Sequence, residues 1–326
     1  MRVMSGHERP RPTIGPHMLN DAHCHFFSSR LFAALSRQRS APHPVDGTDE
    51  SLADALCKEL QWDAPGSAVT LADRWVAELD ANSVERAALI ASIPGDEDSV
   101  AAAVARHGDR FVGYFMLDPS AADAVPRARR AVGELGLRTI CLFPAMHHVP
   151  LDDDRTRQVV RVAAETPGAA VFVHCGVLSV GIRKKLKLQS RFDLRLGDPL
   201  GVAKLALEFP SVPFIIPHFG AGLLREALIA ADTCANIHFD TSSSNSWIRY
   251  TPGQTLEAVF RTALAVLGPS RLLFGTDSSF FPRGWQQPIF AEQQRIVSAL
   301  GTSAADQALI FGGNFDRLFQ KTGNRK

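Results

Sequence analysis

The stretch Met18-Leu19-Asn20-Asp21-Ala22-His23-Cys24-His25-Phe26-Phe27-Ser28 decides how this chain is read. An apolar opening and the run over residues 18–25 predict a β-strand, in which side chains two apart share a face. His23 and His25 then project together, while Ala22 and Cys24 point away. Two imidazoles fixed on one side of a rigid strand are half of a metal site, because zinc-type ions take nitrogen ligands at roughly 2.0–2.1 Å. The residues just after the strand matter as much. A doubly wound nucleotide-binding sheet shows a glycine-rich phosphate turn after its first strand, and Phe26-Phe27-Ser28 is nothing like one.

Downstream, apolar runs alternate with helical periodicity. Strands are predicted over 86–92 (RAALIAS), 110–117 (RFVGYFML), 138–143 (RTICLF), 170–174 (AVFVH), 212–218, 237–241 and 271–277 (RLLFGTD). With the first strand this makes eight. Helices are expected over 97–107, 120–135, 156–165, 199–209, 223–231 and 255–266, with two more near 289–300 and 304–311. Pro126 would kink the second of these, and Asp198 caps the fourth, with Pro199 as its first residue. The regular alternation implies an α/β fold in which the parallel sheet closes as a (β/α)8 TIM barrel.

One segment breaks the rhythm. Residues 26–68 contain Pro42, Pro44 and Pro65 and scattered charges. They read as an irregular, lid-like insertion after the first strand, holding one short helix over 51–60 begun by Ser51-x-x-Asp54. A clear helix comes next, with Ala72, Trp75, Val76 and Leu79 on one face and Thr70-x-x-Asp73 at its start. Residues 1–17 read as a flexible, polar tail, and 18–326 as a single domain.

Composition excludes several classes. The 326 residues carry a net charge of +1 with acids and bases interspersed, so neither nucleic-acid nor membrane-surface binding is expected from bulk charge. There is no apolar run long enough for a transmembrane helix, and residues 1–17 lack the apolar core of a secretory signal. Five cysteines with no C-x-x-C pair suit reduced thiols. The expected location is cytoplasmic.

In such barrels catalytic groups stand at the C-terminal ends of strands. Four predicted strand ends carry candidates: His23 and His25, then His174, His218 and Asp277. One histidine after an apolar run is ordinarily a satisfied core residue. Four such ends together are not, because polar groups closing hydrophobic strands are costly to bury unpaired. No G-x-S-x-G nucleophile elbow is present. A non-catalytic scaffold on an inherited barrel would have no need for this set.

The chain resembles the amidohydrolase superfamily, and within it the amidohydrolase-related branch that includes aminocarboxymuconate-semialdehyde decarboxylase and aromatic-acid decarboxylases. The segments that carry the likeness are Asp21-Ala22-His23-Cys24-His25, Val173-His174-Cys175-Gly176, Pro217-His218-Phe219-Gly220-Ala221-Gly222, Phe274-Gly275-Thr276-Asp277 and Gly312-Gly313-Asn314-Phe315-Asp316-Arg317-Leu318-Phe319. The resemblance implies that His23, His25, His174 and Asp277 bind one divalent metal ion, with zinc expected. It implies that His218 polarises a substrate carbonyl or orients water, and that Asp277 doubles as a proton shuttle. Two-metal relatives use a carboxylated lysine from the fourth strand. This chain has no lysine between Lys58 and Lys184, so a single ion is expected.

The implied activity is a metal-dependent hydrolase acting on an amide, ester or lactone of a small, carboxylated or cyclic substrate. The alternative is a non-oxidative decarboxylase, a carboxy-lyase of a small unsaturated or aromatic acid. Candidate substrate-binding residues are Arg283, suited to bidentate carboxylate contact, Trp285, Ser243 among the residues after the seventh strand, and His147 after the fourth. A basic loop over 183–195 would favour an anionic small molecule. Relatives of this kind often form dimers, so a homodimer is the expected assembly.

Overall fold

The computed structural model describes residues 19–43 and 45–320. The predicted tail over 1–17 lies outside the described residues. Eight parallel strands succeed one another around the sheet in chain order. They are β1 (Asn20–Phe26), β2 (Arg86–Ala91), β3 (Phe111–Met116), β4 (Thr139–Leu142), β5 (Ala170–Val173), β6 (Phe214–Ile216), β7 (Ile237–Asp240) and β8 (Leu272–Leu273). Closure comes from the chain just beyond β8. Ala22 N donates to Phe274 O at 2.8 Å, Asp277 N to His23 O at 2.9 Å and His25 N to Ser278 O at 2.6 Å. The eighth strand is therefore far shorter than the apolar run over 271–277 suggests, because that run bends across β1 to seal the barrel.

Two layers of core hold the fold. Inward residues such as Ile90, Tyr114, Cys141, Phe172 and Leu273 fill the barrel. Outward residues such as Leu89, Phe115, Val171, Phe214 and Phe239 meet the helices. Below, Arg86 reaches Asp316 at 2.7 Å and the carbonyl of Phe319 at 3.0 Å, so the C-terminal helix Asn314–Leu318 plugs the lower end.

β1 departs from simple alternation. Asp21 pairs with Ala87 but Cys24 with Leu89, so three steps on one strand match two on the other. This bulge turns Ala22 into the barrel core, not away with Cys24 as alternation predicts. Cys24 does face outward, as expected.

The insertion also differs from its sequence reading. It is not irregular with one short helix. It holds two helices, α1 (Ser29–Ser40) and α2 (Asp49–Leu60), capped by Ser28 and Thr48. α1 is hard to see in the sequence because it carries few apolar residues, with Leu31, Phe32 and Leu35 supplying its inner face. The cap of α2 is Thr48, whose hydroxyl accepts from Ser51 N, so the helix starts ahead of the Ser51-x-x-Asp54 signal. Likewise Ser67, not Thr70, caps the helix Ala68–Ala81. Pro126 lies in the first turn of Ala124–Gly133, where its missing N–H breaks no helical bond, so no kink results. α1, α2 and Ile182 and Leu186 of the basic loop share a small apolar core beside the barrel mouth.

Candidate metal centre and its cavity

The upper ends of β1 and β8 bring three ligand-bearing side chains together. Atoms of His23, His25 and Asp277 lie within 4.8 Å of one another. The His23 and His25 Nε2 atoms are 3.3 Å apart. Asp277 Oδ1 is 3.2 Å from His25 Nε2 and 3.7 Å from His23 Nε2. Two nitrogens each about 2.0–2.1 Å from one tetrahedral ion would stand about 3.3 Å apart. The spacing fits a shared cation.

The far side of each ring supports the same conclusion. His23 Nδ1 faces Asp240 Oδ2 at 2.6 Å. His25 Nδ1 faces Ser92 Oγ at 2.8 Å, and that hydroxyl donates to Ile90 O at 3.0 Å, leaving its lone pairs for the imidazole N–H. Both rings are thus held with hydrogen on Nδ1 and the Nε2 lone pair free, the tautomer a metal ligand needs. Burial works against charge on His23, yet the Asp240 carboxylate outweighs it and raises the His23 pKa. A setting that favours positive charge on this ring favours a cation at its Nε2 as well. Burial lowers the pKa of His25, His174 and His218, keeping them neutral donors. Burial opposes charge on Asp277, but the close approach of His25, with His23 and His218 beside it, prevails and holds its carboxyl below the usual range.

His174 and His218 stand on the opposite rim. The His174 ring stacks on Phe143 at 5.3 Å and meets His218 edge-on at 5.4 Å. His218 lies 5.0 Å from His23, ring to ring. The resemblance places His174 among the ligands; here it is outside the group of three, although it lines the same cavity. His218 and Asp277 both adopt positive φ, 55° and 61°, at non-glycine positions. Such backbone is disfavoured and concentrates where function dictates the geometry.

Beneath the site lies a buried polar layer. Asp21 accepts from His23 N, Thr276 N, Thr276 Oγ1 and Trp285 Nε1, tying β1 to β8. Burial raises its pKa to about 6, against the pull of these donors. Gly275 makes this layer possible, since a Cβ there would stand 2.9 Å from Ser242 Cβ and 3.0 Å from both Asp240 Oδ1 and His23 Cβ.

The candidate substrate residues separate. Arg283 and Ser243 line the cavities at the site. Arg283 donates to Ser279 Oγ at 2.6 Å and rests over Phe280 at 4.7 Å, while Phe280 stacks on Trp62 at 3.6 Å. Trp285 does not line them. It is buried against Phe274 and Phe290, and its indole N–H supports Asp21. His147 is half-buried on the short helix Pro144–His147, which presents Met146 to the cavity instead. Sequence reasoning missed Asp240 and Ser92. Asp240 left one signal, an acid ending the buried strand Ile237–Asp240.

Parallel strands, a polar rim at their C-terminal ends and a paired-histidine motif on the first strand define a barrel site whose His23, His25 and Asp277 could hold a cation. A family model described as amidohydrolase matches residues 21–321, and the chain belongs to that family. It is an amidohydrolase-family enzyme. Among solved structures, 5-carboxyvanillate decarboxylase from Novosphingobium aromaticivorans, complexed with manganese and 4-hydroxy-3-methoxy-5-nitrobenzoic acid, is similar at 16% identity and TM-score 0.62, over 93% of this chain and 96% of that one. A probable 2-pyrone-4,6-dicarboxylic acid hydrolase from Acinetobacter baumannii with citric acid bound is similar at 13% identity and TM-score 0.58, over 92% and 98%. An amidohydrolase from Burkholderia multivorans with bound zinc is similar at 16% identity and TM-score 0.60, over 93% and 99%. At these identities the likeness is one of fold. No curated protein sequence matches. Among the described residues, no helix is long and apolar enough to cross a membrane.

Proposed function

We propose that this protein is a metal-dependent hydrolase that adds water across an amide, ester or lactone bond of a small, anionic substrate. The observation that carries the reading is the 3.3 Å approach of two histidine Nε2 atoms, each with its Nδ1 engaged and a carboxylate beside them. His23, His25 and Asp277 would hold one divalent ion, zinc by preference, with His174 on the same cavity wall as the further nitrogen ligand that the family resemblance implies. When bound, such an ion polarises a carbonyl and acidifies water.

The chain's own groups supply the rest. The Ser242 hydroxyl lies 2.9 Å from His218 Nδ1 and 3.0 Å from His23 Nδ1. His218 Nδ1 also stands 3.1 Å from the Ser242 carbonyl oxygen, so the hydroxyl and the carbonyl compete for it. With the hydroxyl donating to Nδ1, the ring carries its hydrogen on Nε2 and can donate to the carbonyl oxygen of the substrate as negative charge develops there. Asp277, held ionised, accepts the proton of the attacking water and passes it to the departing nitrogen or oxygen. Arg283 orients a substrate carboxylate at the cavity wall.

Non-oxidative decarboxylation is the second reading, favoured by the similarity in fold to a manganese-bound aromatic-acid decarboxylase. Product analysis in 18O-water separates the two. Incorporation of one 18O into a carboxyl product is expected; carbon dioxide release without incorporation would overturn hydrolysis.

A further inference from the structure

Two overlapping cavities open on the candidate centre. They share His174, His218, Asp277 and Arg283 and the segment 178–180, and they diverge from there. One, of about 440 Å³, runs beneath α1 and is walled by Phe27, Leu35, Trp62, Met116, Phe143 and Met146. Arg183 and Lys185 edge it, with Arg183 already bound to Gln38 at 2.7 Å and Lys185 standing 6.0 Å from the Trp62 ring. The other, of about 580 Å³, runs toward the segment after β7, where Lys184, Ser243, Ser244, Ser246 and Arg249 line it with Trp247 and Tyr250 among them. Among the described residues lining either cavity, Asp277 is the only acid, and each cavity carries one lysine and one arginine besides the shared Arg283.

The two lobes differ in chemistry. An aromatic and thioether wall gains free energy by covering apolar surface, roughly 25 cal/mol per Å², and its flat rings suit a planar group. Basic side chains edge both lobes alike, so the contrast lies in the hydroxyls: Ser243, Ser244 and Ser246 beside Lys184 and Arg249 give one lobe the donors that oxygen-rich negative charge needs. A substrate that fills only one lobe leaves half of this lining unused.

We propose that the substrate is a two-part conjugate. A ring-bearing apolar half occupies the lobe under α1, an anionic half occupies the serine-lined lobe, and the bond joining them crosses the His218–Asp277 rim. This rests on the hydrolytic reading and narrows it. A carbonyl compound R–CO–X–R′, with X nitrogen or oxygen, takes up one water. The hydroxyl joins the carbonyl carbon, the C–X bond breaks, and X leaves with the hydrogen, giving a carboxylic acid and HX–R′. Each half departs through its own lobe.

The test uses three amide probes with the zinc-loaded, full-length protein: N-benzoylaspartate, N-ethylbenzamide and N-acetylaspartate. Calorimetry is expected to show N-benzoylaspartate binding at least tenfold more tightly than either of the others. Ser244→Trp, which fills the second lobe, is expected to erase its advantage over N-ethylbenzamide, and Arg249→Glu to do the same should the first variant fold poorly. An N-benzoylaspartate that binds no better than the tighter one-part probe, or an advantage that survives both variants, would overturn the proposal. Cleavage is read separately, as release of benzoate and aspartate. Tight two-part binding without cleavage would count against hydrolysis while leaving the two-lobed site standing.

Discussion

Asp240 Oδ2 lies 2.6 Å from His23 Nδ1, on the side of the imidazole away from the cavity. Both groups are buried, so the contact is not screened by water. It fixes the ring and makes its Nε2 a stronger donor toward the cavity. Asp240→Asn keeps the shape but removes the charge. The expected outcome is a loss of metal affinity of about 10–100-fold, measured by competition with a chelator of known affinity.

Ser242 links His23 and His218 through one hydroxyl. Without it, His218 Nδ1 can donate to the Ser242 carbonyl oxygen, 3.1 Å away, and the hydrogen leaves Nε2. Ser242→Ala is therefore expected to lower kcat by up to about 10²-fold, the scale of losing one oxyanion donor. KM and metal content should stay near those of the parent protein. Steady-state kinetics with metal analysis reads the split.

Gly275 sits where β8 gives way to the closing segment, against Ser242, Asp240 and His23. Gly275→Ala places a methyl at 2.9–3.0 Å from three of their atoms. Overpacking of this kind costs about 1–3 kcal/mol, and here it pushes directly on the His23–Asp240 pair. A lower denaturation midpoint together with weaker metal binding is expected; a stability loss alone would show that the pair can shift without consequence.

His238 lies inside the barrel, with Nδ1 buried and unpartnered, and burial together with Arg317 and Arg271 lowers its pKa from 6.5 to about 4. Above pH 6.5 the ring is neutral in both folded and unfolded chains, and its contribution to stability is complete. As pH falls from 6.5 toward 4, the unfolded chain takes up a proton that the folded chain refuses. Stability should fall by up to about 3 kcal/mol across that window. Urea titrations at several pH values should show His238→Met losing less stability than the parent over the same range.

Much of this is legible in the sequence, and the rest is hidden for physical reasons. The eight strands announce themselves because both faces of a barrel strand are buried, giving apolar runs such as Arg86–Ala91 and Phe111–Met116. His23, His25, His174, His218 and Asp277 stand out because they end such runs. Their partners do not. Ser92 and Asp240 look like ordinary strand-end polar residues until the third dimension sets them behind His25 and His23. The bulge in β1 leaves no mark, since nothing in Asp21-Ala22-His23-Cys24 differs from a regular strand. Nearness to Asp277 in sequence suggests a cavity position for Trp285, yet the turn between them carries it into the core. Two cavities meeting at one rim arise from loops far apart in the chain.

One cation shared by His23, His25 and Asp277 shows most directly in the metal content of the protein. The full-length protein, supplied with zinc and dialysed, is expected to retain about one equivalent by mass spectrometry, and His25→Ala to retain little. Equal and negligible metal in both proteins, or equal full occupancy in both, would contradict the account.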